Sequence, residues 1–210
     1  VLGPLAIATY NTSTDLKEWD ILFPLFHHET DLNGSATRLF PIYFSGDNRQ
    51  DGSGYRHFFP LYGRSVTPEV DLSYLFPLYG SFTDTSRQET RTSAIGLPPV
   101  PRLSVPALAL YEHASTTAAV SDRLFPLYYY ENDRARDYAT WALLGYDQFS
   151  LAGYGHNPNA TWHQFIPLYR TTEDRTTQTE NIHVLGIGPF SLFRSWDTPE
   201  GSGHRLFPLY

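Results

Sequence analysis

The sequence contains no cysteine, no methionine and a single lysine, Lys17, among fifteen Lys and Arg residues. Without cysteine there can be no disulfides, thiolate zinc sites, iron–sulfur clusters or haem attached through cysteine. No run of five basic residues occurs and the formal net charge is −7, so a surface that tracks nucleic-acid phosphates is not expected. No apolar run approaches about 18 residues, so no helix is expected to cross a bilayer, and no signal peptide is visible. The first residue is Val1 rather than methionine, which reads as a processed product or a fragment and suits export. Long unbranched helix formers are scarce, so very little helix is expected.

What the chain has instead is aromatic residues, 16% of the total, with 15 Tyr, 14 Phe and 4 Trp. Many of them belong to a motif that recurs seven times. Its copies are Phe23-Pro24-Leu25-Phe26, Phe40-Pro41-Ile42-Tyr43, Phe59-Pro60-Leu61-Tyr62, Phe76-Pro77-Leu78-Tyr79, Phe125-Pro126-Leu127-Tyr128, Ile166-Pro167-Leu168-Tyr169 and Phe207-Pro208-Leu209-Tyr210. The prolines are separated by 17, 19, 17, 49, 41 and 41 residues, so a unit of roughly 18 to 21 residues explains the series if some copies are degenerate. Leu-Gly segments fill the wide gaps: Leu143-Leu144-Gly145, Leu185-Gly186-Ile187-Gly188, Ile95-Gly96 and Val1-Leu2-Gly3. About eleven or twelve units result, with 41-residue pairs in the C-terminal third.

Short polar segments separate the copies, among them Gly46 to Gly54, Asp84 to Arg87, Glu131 to Arg134, Glu173 to Arg175 and Asp197 to Gly203. Their Asp, Asn and Gly residues supply Asx turns and positive φ, and loops this short join antiparallel neighbours. The expected fold is therefore all-β, an antiparallel up-and-down meander of about 11 to 12 strands within one tandem-repeat domain over residues 1–210. Each Pro motif reads as a strand centre, apolar on both faces, with polar ends. The expected repeat core is Pro24, Pro41, Pro60, Pro77, Pro126, Pro167 and Pro208 with Tyr43, Tyr62, Tyr79, Tyr128, Tyr169 and Tyr210. A central proline forfeits one ladder hydrogen bond, so either one-sided pairing or a regular bulge is expected at that height.

Leu-Phe-Pro-Leu-Tyr segments alternating with Leu-Gly segments resemble repeat arrays of large uncharacterised bacterial proteins, across most of residues 18 to 210. The resemblance implies a bacterial, extracytoplasmic origin and carries no activity.

Candidate sites are few. Eight histidines, including His27-His28, His57, His163, His183 and His204, invite a metal reading, but adjacent strand residues face opposite ways, so polar strand ends are the expected role. Asp20, Asp122, Glu131 and Asp147 show no spacing that would make an acid–base pair. No nucleophile elbow or phosphate loop is present, so no catalytic, metal or cofactor residues are expected. Tyr128 to Tyr130, Trp141, Tyr154, Trp162 and Trp196 could form sugar platforms, with core packing favoured over binding. Asn11, Asn33 and Asn159 head sequons in expected loops, making them candidate glycosylation sites. The leading functional expectation is a non-enzymatic extracytoplasmic scaffold that self-associates through open repeat ends into a filament or surface layer. An outer-membrane β-barrel and a glycan-binding repeat protein are the alternatives.

Overall fold

A computed structural model describes residues 5–97, 109–186 and 188–207. The chain forms two compact units, Val1–Ala109 and Leu110–Tyr210. In the first lie β1 (Ala6–Asn11), β2 (Leu16–Ile21), β3 (Phe26–Thr30), β4 (Gly34–Leu39), β5 (Tyr43–Asn48), β6 (Gly54–Phe58), β7 (Tyr62–Val66), β8 (Val70–Leu75), β9 (Tyr79–Asp84) and β10 (Glu89–Gly96). From the unit boundary onward come β11 (Ala109–Ser115), β12 (Ala119–Leu124), β13 (Tyr128–Asp133), β14 (Tyr138–Tyr146), β15 (Phe149–Asn157), β16 (Ala160–Phe165), β17 (Tyr169–Asp174), β18 (Thr179–Val184), β19 (Phe193–Thr198) and β20 (Gly201–Leu206). Within each unit every strand pairs antiparallel with the next. The all-β antiparallel meander is thus present, with no α-helix among the described residues.

Among the described residues there are twenty strands rather than eleven or twelve, because the Pro motif is a hairpin turn and not a strand centre. Leu39 and Tyr43 face each other across the three residues Phe40-Pro41-Ile42, and the Ile42 N–H donates to the Leu39 carbonyl at 2.8 Å. Proline stands third in this four-residue turn after a cis peptide bond, the arrangement of a type VI turn. The same cis Phe-Pro or Ile-Pro link recurs at Pro24, Pro60, Pro77, Pro126 and Pro167. Placing proline at the turn leaves no ladder position without a donor, so the missing N–H costs the sheet nothing. All six of these prolines are exposed, not buried at strand centres as the sequence pattern predicts. Tyr43, Tyr62, Tyr79, Tyr128 and Tyr169 open the following strands, half-buried or exposed; Pro208 and Tyr210 lie outside the described residues. Turns are tied to one another: the Phe40 N–H donates to the Leu25 carbonyl, Phe59 to Ile42 and Phe76 to Leu61, each at 2.8 Å.

Register puts the residues flanking these turns into one apolar row per unit. In the first unit it runs through Ile21, Phe26, Leu39, Tyr43, Phe58, Tyr62, Leu75 and Tyr79, and in the second from Tyr111 to Leu206. Most of these side chains are only partly covered, and Phe23, at the tip of its turn, is 76% exposed. At the other end of the strands, polar loops close on Asx bonds. Asp84 accepts from the Ser86 hydroxyl at 2.6 Å and the Arg87 amide at 3.0 Å, and Asp174 accepts from the Thr176 and Thr177 amides. These donors hold both carboxyls below the ordinary aspartate range. The expected polar loops are therefore present, shortened to residues such as 49–53, 85–88 and 175–178.

Three of the Leu-Gly segments are kinks, not degenerate copies of a strand, and Val1-Leu2-Gly3 lies outside the described residues. Ile95, Leu144 and Leu185 have φ of 54°, 49° and 52°, and each is followed by a glycine, Gly96, Gly145 or Gly186, with φ between 133° and 154°. In each pair both N–H groups donate to the preceding Pro turn, as from Leu185 to the Leu168 carbonyl and from Gly186 to the Pro167 carbonyl, both 2.8 Å. Beyond the Gly145 and Gly186 kinks the chain forms a flap over the sheet face opposite the apolar row, reached by opposite-face side chains. Gln164 donates to the Gln148 and Ser150 carbonyls, Ser93 to Leu97 and Arg205 to Pro189. At these flaps Thr140, Ala142, Gln164 and Ser191 are at most 2% exposed, and Ser93, beside the Ile95-Gly96 kink, is equally buried.

Candidate functional site

The sheet face opposite the apolar row carries most of the chemistry. On β2 and β3, Asp20 stands opposite His27 and Glu18 opposite Glu29. His27 Nδ1 lies 2.9 Å from Asp20, and its Nε2 lies 3.5 Å from Glu29. Ligand atoms of Glu18, Asp20 and His27 all fall within 4.8 Å of one another, a donor set that suits a divalent cation. The geometry equally lets His27 serve as the cation: its hydrogen bond to Asp20, with Glu29 adding to it, raises the imidazole above its ordinary value. A raised folded-state value stabilises the fold fully below the unfolded value near 6.5 and loses that contribution as pH rises through the folded value. The urea midpoint of the first unit is accordingly expected to fall modestly between pH 6 and pH 8.5. That pH dependence should shrink in Asp20→Asn, where only Glu29 still raises the imidazole, as measured by Trp19 fluorescence.

The other carboxylates singled out from sequence are engaged separately. Asp122 accepts from His113 at 2.7 Å and from the Tyr111 hydroxyl at 3.3 Å. Glu131 accepts from the Tyr129 hydroxyl, and Asp147 receives the Tyr138 and Thr140 hydroxyls at 3.4 Å. Asp147 sits at the tip of the β14–β15 flap, so these bonds fasten the flap to the sheet. Burial, first of all, pushes the Tyr129 and Tyr138 phenols far above the ordinary tyrosine value, keeping them as donors to these carboxylates.

Aromatic residues divide by face. Trp162 is buried opposite Gly155 and Trp196 lies opposite Gly203. On the apolar-row face, Tyr130, Trp141, Tyr154 and His163 form a row across β13 to β16, with Trp141 41% and Tyr154 44% exposed. Of the expected sugar platform, therefore, Trp141 and Tyr154 are open and Trp162 belongs to the core. Asn11, Asn33 and Asn159 are exposed at strand ends and loops.

Strands β1 and β20, the first and last described strands, each have a single registered partner, leaving one ladder edge apiece. The β1 edge, Ala6 to Asn11, has neither charge nor proline, the usual means of blunting an exposed edge. A cationic row on β17 to β20 was not anticipated from the sequence: Arg170, His183, Arg194 and Arg205 are in direct register. Two of these four, Arg170 and Arg194, follow no motif spacing, and only the pairing brings the set together. In comparisons with known proteins, the chain matches no protein-family model and no curated protein.

Proposed function

We propose that this is a non-enzymatic, extracytoplasmic structural repeat protein that lengthens by strand pairing between copies into a filament or layer. The observation that carries this reading is the pair of open edges. Strand β1 runs away from the Pro-turn end and β20 runs toward it, so β20 of one copy meets β1 of the next antiparallel. Aligning Leu206 with Ala6 continues the apolar row across the junction and keeps each face continuous. Such a contact is heterologous and propagates. Sedimentation velocity and negative-stain microscopy of the purified chain are expected to show concentration-dependent linear assembly. Placing charge on the edge with Ala8→Lys and Tyr10→Lys should weaken association about tenfold or more, the repulsion and desolvation being repeated at every junction. A wild-type chain that stays monomeric at its highest soluble concentration would refute the reading.

The exposed Trp141–Tyr154 row favours a second reading, in which this sheet binds glycans by stacking sugar rings on aromatic faces. Quenching of Trp fluorescence by an oligosaccharide panel, lost in Trp141→Ala, would select it. The outer-membrane barrel is disfavoured by pattern. A spanning strand needs about 9–11 residues with one face apolar throughout. Here β7 presents Tyr62, Arg64 and Val66 on one face, and β8 presents Leu75, Ser73 and Asp71.

A further inference from the structure

We propose that Arg170, His183, Arg194 and Arg205 form a binding site for a tetrahedral oxyanion, a phosphate or sulfate group. The four residues are consecutive cross-strand partners on β17, β18, β19 and β20, so their side chains project from one face at strand spacing, about 4.8 Å apart. Three guanidinium groups and an imidazole therefore share a strip about 14 Å long. Among the described residues no carboxylate oxygen lies within ion-pair distance of any of them. Each arginine instead meets a neutral acceptor: Arg170 donates to the Gln148 side chain at 3.2 Å, Arg194 to Asn181 at 3.1 Å and Arg205 to the Pro189 carbonyl at 2.6 Å. The Nε atoms of Arg194 and Arg205 are buried without any acceptor.

This arrangement is costly as it stands. Like charges directly opposite each other on neighbouring strands are destabilising, and a buried guanidinium donor without an acceptor loses its hydration for nothing. The sequence has carboxylates at hand on the same strands, yet Glu173, Glu180 and Asp197 alternate onto the other face. Asp174, on the same face, lies at the loop end and is occupied by the Thr176 and Thr177 amides. In the same register row Arg123 does pair with a carboxylate, that of Glu112 at 2.7 Å. The strip thus sets four basic side chains in consecutive register in a protein of net charge −7.

Its surroundings suit a ligand with several acceptor oxygens. Arg194 lies over the Trp196 ring at 5.5 Å, which holds its guanidinium plane in place. Arg170 and Arg205 are held by the two flaps, through Gln148 on one and Pro189 on the other, so the strip is bounded at both ends. Donors converging from three strands exceed what one carboxylate can accept and match a phosphate or sulfate, which offers three or more oxygens. His183 is buried beside Ser191, and burial together with Arg194 and Arg170 holds its imidazole below the ordinary value. An anion bound between the arginines would move it upward.

The test uses the full chain in phosphate-free buffer. Inorganic phosphate and pyrophosphate are titrated against sodium chloride at matched ionic strength, with thermal midpoint and the His183 imidazole NMR shift as readouts. A rise in midpoint above that of the chloride control, together with an upward shift of the His183 titration, is expected. In Arg194→Gln and Arg205→Gln affinity should drop about tenfold or more, while both variants stay folded and match or exceed the wild-type midpoint without ligand, because a repulsion has been removed. Arg136→Gln, on the β13–β14 loop of the same unit and paired with Asp133, should leave the response unchanged. A parallel arm measures co-sedimentation with phosphatidylglycerol vesicles against phosphatidylcholine vesicles. Binding there with no response to free phosphate would identify the oxyanion as a lipid headgroup. No response to phosphate, pyrophosphate or vesicles, or a response retained in both arginine variants, would overturn the site.

Discussion

Gly186→Ala is expected to destabilise the second unit by about 2–4 kcal/mol, combining backbone strain with a clash that cannot relax. At φ 133° the glycine occupies a region that side chains rarely enter, and a Cβ there would stand 2.5 Å from the Phe190 carbonyl oxygen and 2.8 Å from the Ser191 Cα. Both obstacles are backbone, so no side chain can swing away. The residue also donates to the Pro167 carbonyl at 2.8 Å, and Ser191, fully buried, packs where the chain returns to the sheet. Urea denaturation followed by tryptophan fluorescence measures the loss. Gly52→Ala is the control: φ there is 70°, but nothing lies within 4 Å of the added methyl, so only a conformational cost of about 1 kcal/mol is expected. Equal effects at the two positions would mean that the flap contributes nothing beyond its backbone angle. Because Arg205 is held by the Pro189 carbonyl on this flap, Gly186→Ala should also weaken anion binding.

The fold class could be read because its signals are local. Loops such as Asp84 to Arg87 and Glu173 to Arg175 carry Asx-turn chemistry, and their spacing allows only antiparallel neighbours. The turn at the other end escaped because it lacks those residues. Leu39-Phe40-Pro41-Ile42-Tyr43 is apolar throughout, and a short apolar run between polar flanks has the pattern of a buried strand. What distinguishes it is proline in the third position of a four-residue turn, a role that Phe-Pro fills without glycine or asparagine. Taken as a strand centre, the motif predicts half as many strands and puts exposed residues such as Pro41 in the core. The Leu-Gly segments were recognised as a second class, but Leu144 and Leu185 have the left-handed backbone normally left to glycine or asparagine, which composition does not announce. The cationic strip was illegible for another reason. Arg170, His183, Arg194 and Arg205 are 13, 11 and 11 residues apart, and these intervals become neighbours only once each loop and kink has its correct length.

Register can be tested most sharply through two tryptophans, since a slip of one residue exchanges the two faces of a strand. Trp162→Ala is expected to cost about 3–5 kcal/mol, the range for removing a large buried aromatic. Its ring is 8% exposed and lies against β15, where a methyl on Gly155 would come within 2.6 Å of the indole nitrogen and one on Gly153 within 3.1 Å of the ring. Two glycines one pleat apart make the shelf on which the indole rests, and no neighbouring side chain can fill the space once it is gone. The same cross-strand pairing of an aromatic with glycine occurs at Tyr55 and Gly46, Tyr74 and Gly63, and Trp196 and Gly203, so the loss at Trp162 reports on a device used in both units. Trp141→Ala, on the opposite face and largely open, should cost less than about 1 kcal/mol. Chemical denaturation of both variants gives the comparison, and a reversal of their order would mean that β14 to β16 pair one residue out of step with the arrangement described above.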